Sequence, residues 1–404
     1  MAALTLTTLA VAACGGDEPR RADRQDLIVQ STTSVRDSGL LERLIKPQFE
    51  RRYPQWNLKF IAVGSGEAIA NARAGQADVL VAHSPKAETT FVADGFSDEP
   101  TGRTVMWNDF VIVGPPDDPA GVRRLARHDA AAALEAIAAA GAAGRARFVS
   151  RGDESGTNTK ELDVWALTDV RRNARNEPAR GSRNPSWYRK AGLGMADTLR
   201  LTQQCPFGGG CYTITDRGTL QQLVTNGAIS SLRIAMDRAG ASARGGVGLM
   251  LNVYNVYAIA PAKFPETKLR GARAFMDFLT SAPFQKALEA FPSRRRPGFY
   301  AAATPRVTLT RDLPRTVPVG RTVTVTGRIV SAVPGAPAPS GLPVSLAAAS
   351  TGAASSPLAR ARAGAGGAFR LEARPRGAGE LVLTAPRFGS LSALRVPIGR
   401  VTVP

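Results

Sequence analysis

Histidine and cysteine are scarce in this 404-residue chain, which has 2 His and 3 Cys. No zinc cluster can be assembled from so few ligands at usual spacings. A Ser-His-Asp hydrolase would have to use His83 or His128, and neither lies in a recognisable hydrolase context. Aromatic residues make up 6%, and no strip interleaves them with basic residues, so the usual signature of nucleic-acid recognition is missing. No apolar run reaches the roughly 20 residues needed to span a bilayer. Lysine is rare too, with 8 Lys against 44 Arg. Arginine of this abundance, beside much Ala, Gly and Pro, fits a GC-rich genome as well as any function. The formal charge of +19 is unevenly spread: residues 301–404 carry 13 Arg against 3 acids, or +10, leaving +9 on the first 300 residues. A length of 404 with 44% hydrophobic residues predicts two or three folded domains.

The three cysteines divide by context. Residues 1–13 are uncharged, and Val11-Ala12-Ala13-Cys14-Gly15-Gly16 resembles a bacterial lipobox. Such a segment is removed and its Cys acylated, so residues 1–26 read as a lipoprotein signal and a polar tether. Cys205 and Cys211 flank Pro206-Phe207-Gly208-Gly209-Gly210. The glycines let the ends meet, and an exported chain favours a disulfide there. Cys14 is then the lipidation site, and the chain is expected to be extracytoplasmic and held on the membrane by lipid.

Three segments share one grammar of apolar strand, short Gly/Ser/Thr loop and helix start. The first is Leu27 to Gln30, the loop Ser31-Thr32-Thr33-Ser34 and a helix near Ser38. The second is Leu58 to Val63, then Gly64-Ser65-Gly66, then a helix to Gly75 and a strand Asp78 to Val81. The third is Arg147 to Ser150, then Arg151 to Gly156, then a helix from Thr157 to about Leu167. This alternation predicts an α/β fold with largely parallel sheets. Phe110 to Gly114 and Val253 to Ala260 read as strands where the chain crosses between two lobes. Ala130 to Ala143 reads as a helix, Arg171 to Arg183 as an exposed loop, and Ala272 to Phe291 as a helix pair broken at Pro283. Beyond Thr304 about seven short β runs predict an all-β sandwich over residues 305–404. Its Pro-rich 331–340 stretch and residues 347–367 are expected as loops.

Helix N-termini present unpaired N–H groups and the positive end of the helix dipole, so they attract anions. Here the hydroxyls and glycines of Thr32, Thr33, Ser34, Ser65, Gly66, Ser155, Gly156 and Thr157 stand at three such starts. Arg151 adds a charged fork of donors suited to oxyanions. Each loop alone reads as an ordinary N-cap and Arg151 alone as a surface residue; brought together, they would form a donor-only cage for a small tetrahedral anion.

The segments Ser31-Thr32-Thr33-Ser34 with Asp37-Ser38-Gly39-Leu40-Leu41, Val63-Gly64-Ser65-Gly66, Asp78-Val79-Leu80-Val81 with His83-Ser84-Pro85-Lys86-Ala87-Glu88, Asn108-Asp109-Phe110-Val111-Ile112-Val113-Gly114-Pro115 and Ser150-Arg151-Gly152-Asp153-Glu154-Ser155-Gly156-Thr157 resemble the substrate-binding protein of tungstate ABC transporters. The stretch Thr213 to Thr219 resembles it too. The resemblance covers about residues 27–295. It implies a two-lobed type II periplasmic-binding-protein fold, with lobe 1 at about 27–107 and 261–300 and lobe 2 at about 108–260. It also implies that the Thr-Thr-Ser, Gly-Ser-Gly and Arg151/Ser155/Thr157 loops hold the ligand, with Arg151 tied to ligand choice. The implied ligand is a tungstate or molybdate oxyanion rather than a cofactor, and the implied partner is an ABC permease. Departures are Asn158 where the family often has His, Ser31 for a Thr, and apparent insertions at 171–183 and 205–211. The sandwich, expected to be Ig-like, lies outside the resemblance.

Other classes stay open at this stage. Phosphate receptors carry a similar Arg…Asp-x-Ser-Gly-Thr loop, and monoprotonated phosphate wants a carboxylate acceptor, for which Asp153 and Glu154 are candidates. A cell-surface protein with a degenerate binding domain is a second alternative. An enzyme is not expected: Asp153 and Glu154 are adjacent rather than opposed, and no nucleophile–base pair stands out. The chain is expected to be monomeric, with no nucleic-acid partner. An anionic cell-wall polymer is a candidate partner for the basic sandwich. On this reading, deleting residues 305–404 leaves ligand affinity intact.

Overall fold

A computed structural model describes residues 24–153, 155–310, 316–349 and 357–402. Cys14 and nearly all of the expected signal and tether lie outside these residues, as does Glu154.

The chain first builds β1 (Gln25–Thr32), α1 (Thr33–Asp37), α2 (Lys46–Arg52), β2 (Trp56–Val63), α3 (Ser65–Arg73), β3 (Val79–Ala82), α4 (Pro85–Ala93) and β4 (Arg103–Gly114). It continues through α5 (Val122–Leu125), α6 (Ala130–Ala142), β5 (Ala146–Ser150), α7 (Gly156–Ala166), β6 (Tyr188–Lys190), α8 (Met195–Gln204), β7 (Gly210–Asp216), α9 (Arg217–Thr225) and β8 (Arg233–Met236). It returns by β9 (Leu251–Ala258), α10 (Leu269–Thr280), α11 (Ala282–Leu288) and the short β10 (Pro292–Ser293), β11 (Arg296–Pro297) and β12 (Tyr300–Ala301).

Lobe 1 has the sheet order β2-β1-β3-β9-β4, with β1 parallel to both β2 and β3. All four residues of β3 are buried, as expected for a central strand covered by helices on both faces. Lobe 2 has the order β4-β7-β5-β6, with β5 parallel to β6 and β7. The long β4 belongs to both lobes. Its residues 103–109 pair with β9, and Phe110 to Val113 pair with β7. Each lobe has its own core: Phe49, Phe275, Phe278 and Phe284 in lobe 1, and Phe148, Trp165, Trp187 and Tyr188 under the alanines of α6 in lobe 2. Asp129 caps α6 by accepting from Ala132 N at 3.0 Å, which fixes where that alanine run starts.

The C-terminal region is a sandwich of two sheets. β13 (Arg306–Leu309), β15 (Val323–Val330) and β18 (Ala368–Ala373) form one; β14 (Thr316–Pro318), β20 (Leu394–Thr402), β19 (Gly379–Ala385), β16 (Pro343–Ala349) and β17 (Ala359–Arg362) form the other, in that order. Alternate residues of β15 and β18 point inward, and Val325, Ile329, Leu346, Leu371, Leu381 and Leu383 form a core of its own.

The structure corrects several expectations. Ser31 to Ser34 is not a loop before a helix at Ser38. β1 runs to Thr32 because its pairing with β2 continues to Thr32↔Val63, and α1 starts at the next residue. A π-helical turn at Leu41–Ile45 then leads into α2. The division between lobes expected at 260 falls near 250, because Asn255 to Ala258 of β9 pair with β3 in lobe 1. Residues 347–367 are not featureless: β17 pairs antiparallel with β16. The disulfide Cys205–Cys211 is present.

Candidate functional site

Strands β1, β2 and β5 deliver their C-terminal ends toward the junction of the lobes, and helices α1, α3 and α7 begin there. Neither Thr32 before α1 nor Gly64 before α3 makes a side-chain cap bond, whereas Ser155 accepts from Asn158 N at 3.3 Å before α7.

On the lobe 1 side the hydroxyls converge on one histidine. Ser34 Oγ lies 3.3 Å and Ser65 Oγ 3.2 Å from His83 Nε2. Ser34 Oγ is also 3.1 Å from Thr32 Oγ1 and 3.2 Å from the Tyr254 hydroxyl. Lobe 2 comes up against this cluster at Gly156. A Cβ there would lie 3.1 Å from His83 Cε1 and 3.5 Å from Ser65 Oγ, so glycine allows the start of α7 to approach the other lobe closely. Burial pushes the His83 pKa down to about 4, and Lys160 across the cleft adds to the shift. The imidazole is therefore neutral at pH 7, one nitrogen donating and the other accepting.

On the lobe 2 side Arg151 follows β5 and is 4% exposed. Gly152, at φ +61°, turns the chain immediately after it, and Gly192 N donates to the Arg151 carbonyl at 2.7 Å. One terminal nitrogen of the guanidinium pairs with Asp153, which also accepts from Ser155 N at 3.3 Å. Arg151 Nε is buried without a partner among the described residues. A buried charged donor without a partner is uncommon in folded proteins; Arg147 Nε is a second one among the described residues. Beneath Arg151, Glu161 accepts from Ser150 Oγ at 2.6 Å, Tyr188 OH at 2.7 Å and Trp165 Nε1 at 3.1 Å. These bonds lock β5 to α7 and so set the Arg151 loop against the helix start. Desolvation still pushes the Glu161 pKa up to about 7. Asn158 donates to Ser150 Oγ and Glu161 Oε2, both at 3.4 Å, which turns it toward this support.

A polar chain joins the two sides through the crossing strands. Asn108 Nδ2 on β4 donates to Asp216 at 3.4 Å. Asn252 Nδ2 on β9 donates to Asn108 at 2.9 Å and to the Tyr254 hydroxyl at 2.8 Å, and Tyr254 reaches Ser34. Asp216 caps α9, accepting from Thr219 N at 2.9 Å, and its other oxygen has no partner among the described residues. Burial raises its pKa, the Asp37 charge adds to this, and the Arg151 charge opposes it. A further bond spans the lobes where Arg43 donates to Gln222 at 2.7 Å.

The expected residues thus divide in two. Ser65, Gly66 and Gly156 line a cleft of about 930 Å³, with His83, Lys86, Lys160 and Asn252. Thr32, Ser34, Arg151, Ser155 and Thr157 are buried behind it, and Thr33 is half-buried at the start of α1. Residue-type reasoning missed His83, Tyr254 and Asn252. His83 entered the sequence reading as an excluded hydrolase base and within the resemblance, but not as a site residue; its place directly after β3, at the strand's C-terminal end, was the available signal.

Two α/β lobes joined by crossing strands, with donors from both lobes meeting at the junction, define a two-lobed binding-protein fold. Residues 17–283 match the family model described as a PBP superfamily domain. The chain is 39% identical over 289 residues to a putative ABC transporter anion-binding protein of Haloferax volcanii, covering 72% of this chain and 75% of that one. It is 31% identical over 292 residues to the tungstate-binding protein TupA of Peptoclostridium acidaminophilum, covering 71% and 90%. The solved tungstate-binding protein TupA of Desulfovibrio alaskensis superimposes with a TM-score of 0.53 at 32% identity, covering 68% of this chain and 98% of that one. The chain belongs to the PBP superfamily as a homologue of the tungstate-binding proteins. The family match ends at residue 283, before the sandwich begins.

Proposed function

We propose that this protein is the extracytoplasmic solute-binding component of an ABC importer, capturing tungstate, or molybdate in its place, and handing it to a permease. The observation that carries this reading is the buried Arg151, with an unpaired Nε, beside a hydroxyl-bearing helix start in each lobe. Thr32, Thr33, Ser34, Ser65, Gly66, Arg151, Ser155, Gly156 and Thr157 are the proposed ligand set. Donors dominate it, and Asp153 is occupied by Arg151 and Ser155 N, which suits a proton-free dianion. Ligand-driven closure of the lobes depends on contacts made better in the closed state. The chain acts by binding and release rather than by catalysis, as a monomer carried on a lipid at Cys14. The strand order of the sandwich supports an Ig-like reading, and its arginines make an anionic wall polymer its partner.

One observation favours a second cargo. Asp216 keeps a buried, unpaired carboxylate oxygen that would accept the proton of monoprotonated phosphate. Calorimetric titration with tungstate, molybdate, phosphate and sulfate separates the readings. The expected result is submicromolar tungstate binding, at about −8 kcal/mol or better. Tight phosphate binding that fails in Asp216→Asn would replace this proposal with a phosphate receptor. No binding of any of the four would leave a cell-surface protein with a degenerate site.

A further inference from the structure

The sandwich is not held away from the binding lobes. Its 388–392 turn is fastened to lobe 1: Thr104 N donates to the Ser390 carbonyl at 3.0 Å, and Ser392 N donates to the Ala303 carbonyl at 2.8 Å. Beside these bonds Arg387 pairs with Glu99 at 2.5 Å, and Glu99 is itself held by Arg103. The connection from β12 to β13 passes through Ala302 and Ala303, both fully buried. Lobe 1 and the sandwich are therefore joined by backbone bonds, an ion pair and a short buried link.

From this anchored domain, the loop between β15 and β16 reaches the cleft. Val333, Pro334, Gly335 and Ala336 line it opposite Ser65, His83, Gly156 and Lys160. Val333 is 6% exposed yet is not among the side chains of the sandwich core. A turn closed by Ala336 N donating to the Val333 carbonyl at 3.3 Å shapes the tip. The tip meets lobe 2: a Cβ at Gly335 would lie 3.6 Å from Val247 Cβ. Val247 precedes β9 in a segment whose neighbours Ala243, Leu249 and Met250 pack into the lobe 2 core.

We propose that loop 331–336 of the C-terminal domain is a clasp over the binding cleft, anchored on lobe 1 and engaging lobe 2, which slows entry and exit of the ligand. Opening the lobes pulls Val247 away from the loop tip and uncovers Val333. The clasp adds no donor to the anion. It acts on exchange rates and on the balance between open and closed states. Deleting residues 305–404 would then change the rates of ligand exchange, whereas a sandwich independent of the site would leave them unaltered. The inference rests on the receptor reading for its consequence, but its contact can be tested without ligand.

The test uses the full chain. In Val247→Cys/Gly335→Cys the Cβ separation falls within the range of about 3.5–4.5 Å that a disulfide accepts. Oxidation should form the cross-link in the absence of ligand, seen by mass spectrometry. It should arrest exchange of prebound tungstate until reduction, with the reduced wild type controlling for Cys205–Cys211. Cysteine at Gly335 takes a positive φ, so Val333→Gly provides a second route. It should raise the tungstate dissociation rate about tenfold, the effect of losing one buried apolar side chain. A double-cysteine chain that melts like the wild type yet fails to cross-link overturns the clasp. So does a cross-linked chain, or a Val333→Gly chain, that exchanges tungstate at the wild-type rate. A cross-link that forms in a chain binding none of the four oxyanions would uphold the contact and overturn the receptor reading instead.

Discussion

Replacing Arg151 by alanine separates a ligand-binding guanidinium from a structural one. The side chain is 4% exposed, with one nitrogen on Asp153 and Nε unpaired. A bound oxyanion would take Nε and a second guanidinium N–H. Charge-assisted bonds contribute about 1.5–3 kcal/mol each, so two amount to about 3–6 kcal/mol, or two to four decades in Kd. The folded state loses the Asp153 pairing, but the Asp153 side chain is 21% exposed and keeps its bond from Ser155 N, so water can replace the guanidinium at a cost of about 1–3 kcal/mol. A thermal midpoint lowered by no more than about 10 °C is expected. Arg151→Lys keeps the charge but loses the planar fork, and should fall between wild type and alanine. Calorimetric titration with tungstate and a thermal melt on the same samples give both numbers. An Arg151→Ala chain that melts normally and binds tungstate within threefold of wild type would refute the reasoning.

Three further outcomes are expected. Burial holds the His83 pKa at about 4 in the folded protein, against 6.5 for a free imidazole. The lowered value means its contribution is complete above pH 6.5 and is lost as pH falls toward 4, amounting to at most about 3 kcal/mol. Urea midpoints from pH 7 to 4 should therefore fall more steeply for wild type than for His83→Asn; parallel curves would remove His83 as the cause. Tyr254→Phe deletes the hydroxyl shared by Ser34 and Asn252. Tungstate affinity should drop about two- to tenfold by titration, and an unchanged affinity would show that Ser34 needs no such support. Cys205→Ser/Cys211→Ser opens a bridge of sequence separation 6, which should cost about 2 kcal/mol in denaturant. Cys211 lies at the start of β7 and Asp216 ends it, so tungstate affinity should stay at the wild-type value.

Local chemistry carried much of this protein in plain view. Strand-then-helix grammar follows from apolar runs ended by Gly, Ser and Thr, and those signals act over a few residues. That is why β2 with α3 and β5 with α7 were legible, and why the alternation of short strands beyond residue 304 announced the sandwich. The glycines between Cys205 and Cys211 likewise pointed to their bridge. The donor types of the candidate site were legible for the same reason, since a hydroxyl at a helix start is a local fact.

What the tertiary structure decided is everything that depends on meeting across the chain. The end of β1 is set by a partner strand about 30 residues on: pairing from Gln25↔Trp56 to Thr32↔Val63 draws the expected loop into the sheet. The lobe boundary moved because β9 finds β3, about 175 residues earlier in the chain. His83 gained its place only when Ser34, Ser65 and Gly156 closed around it from three other elements. Asn108, Asn252 and Tyr254 became one chain of bonds only because β4 and β9 lie side by side. The Pro-rich stretch after β15 reads locally as a loop and nothing more. Its position over the cleft follows from how the sandwich is fastened to lobe 1, and no local propensity encodes a contact between Gly335 and Val247.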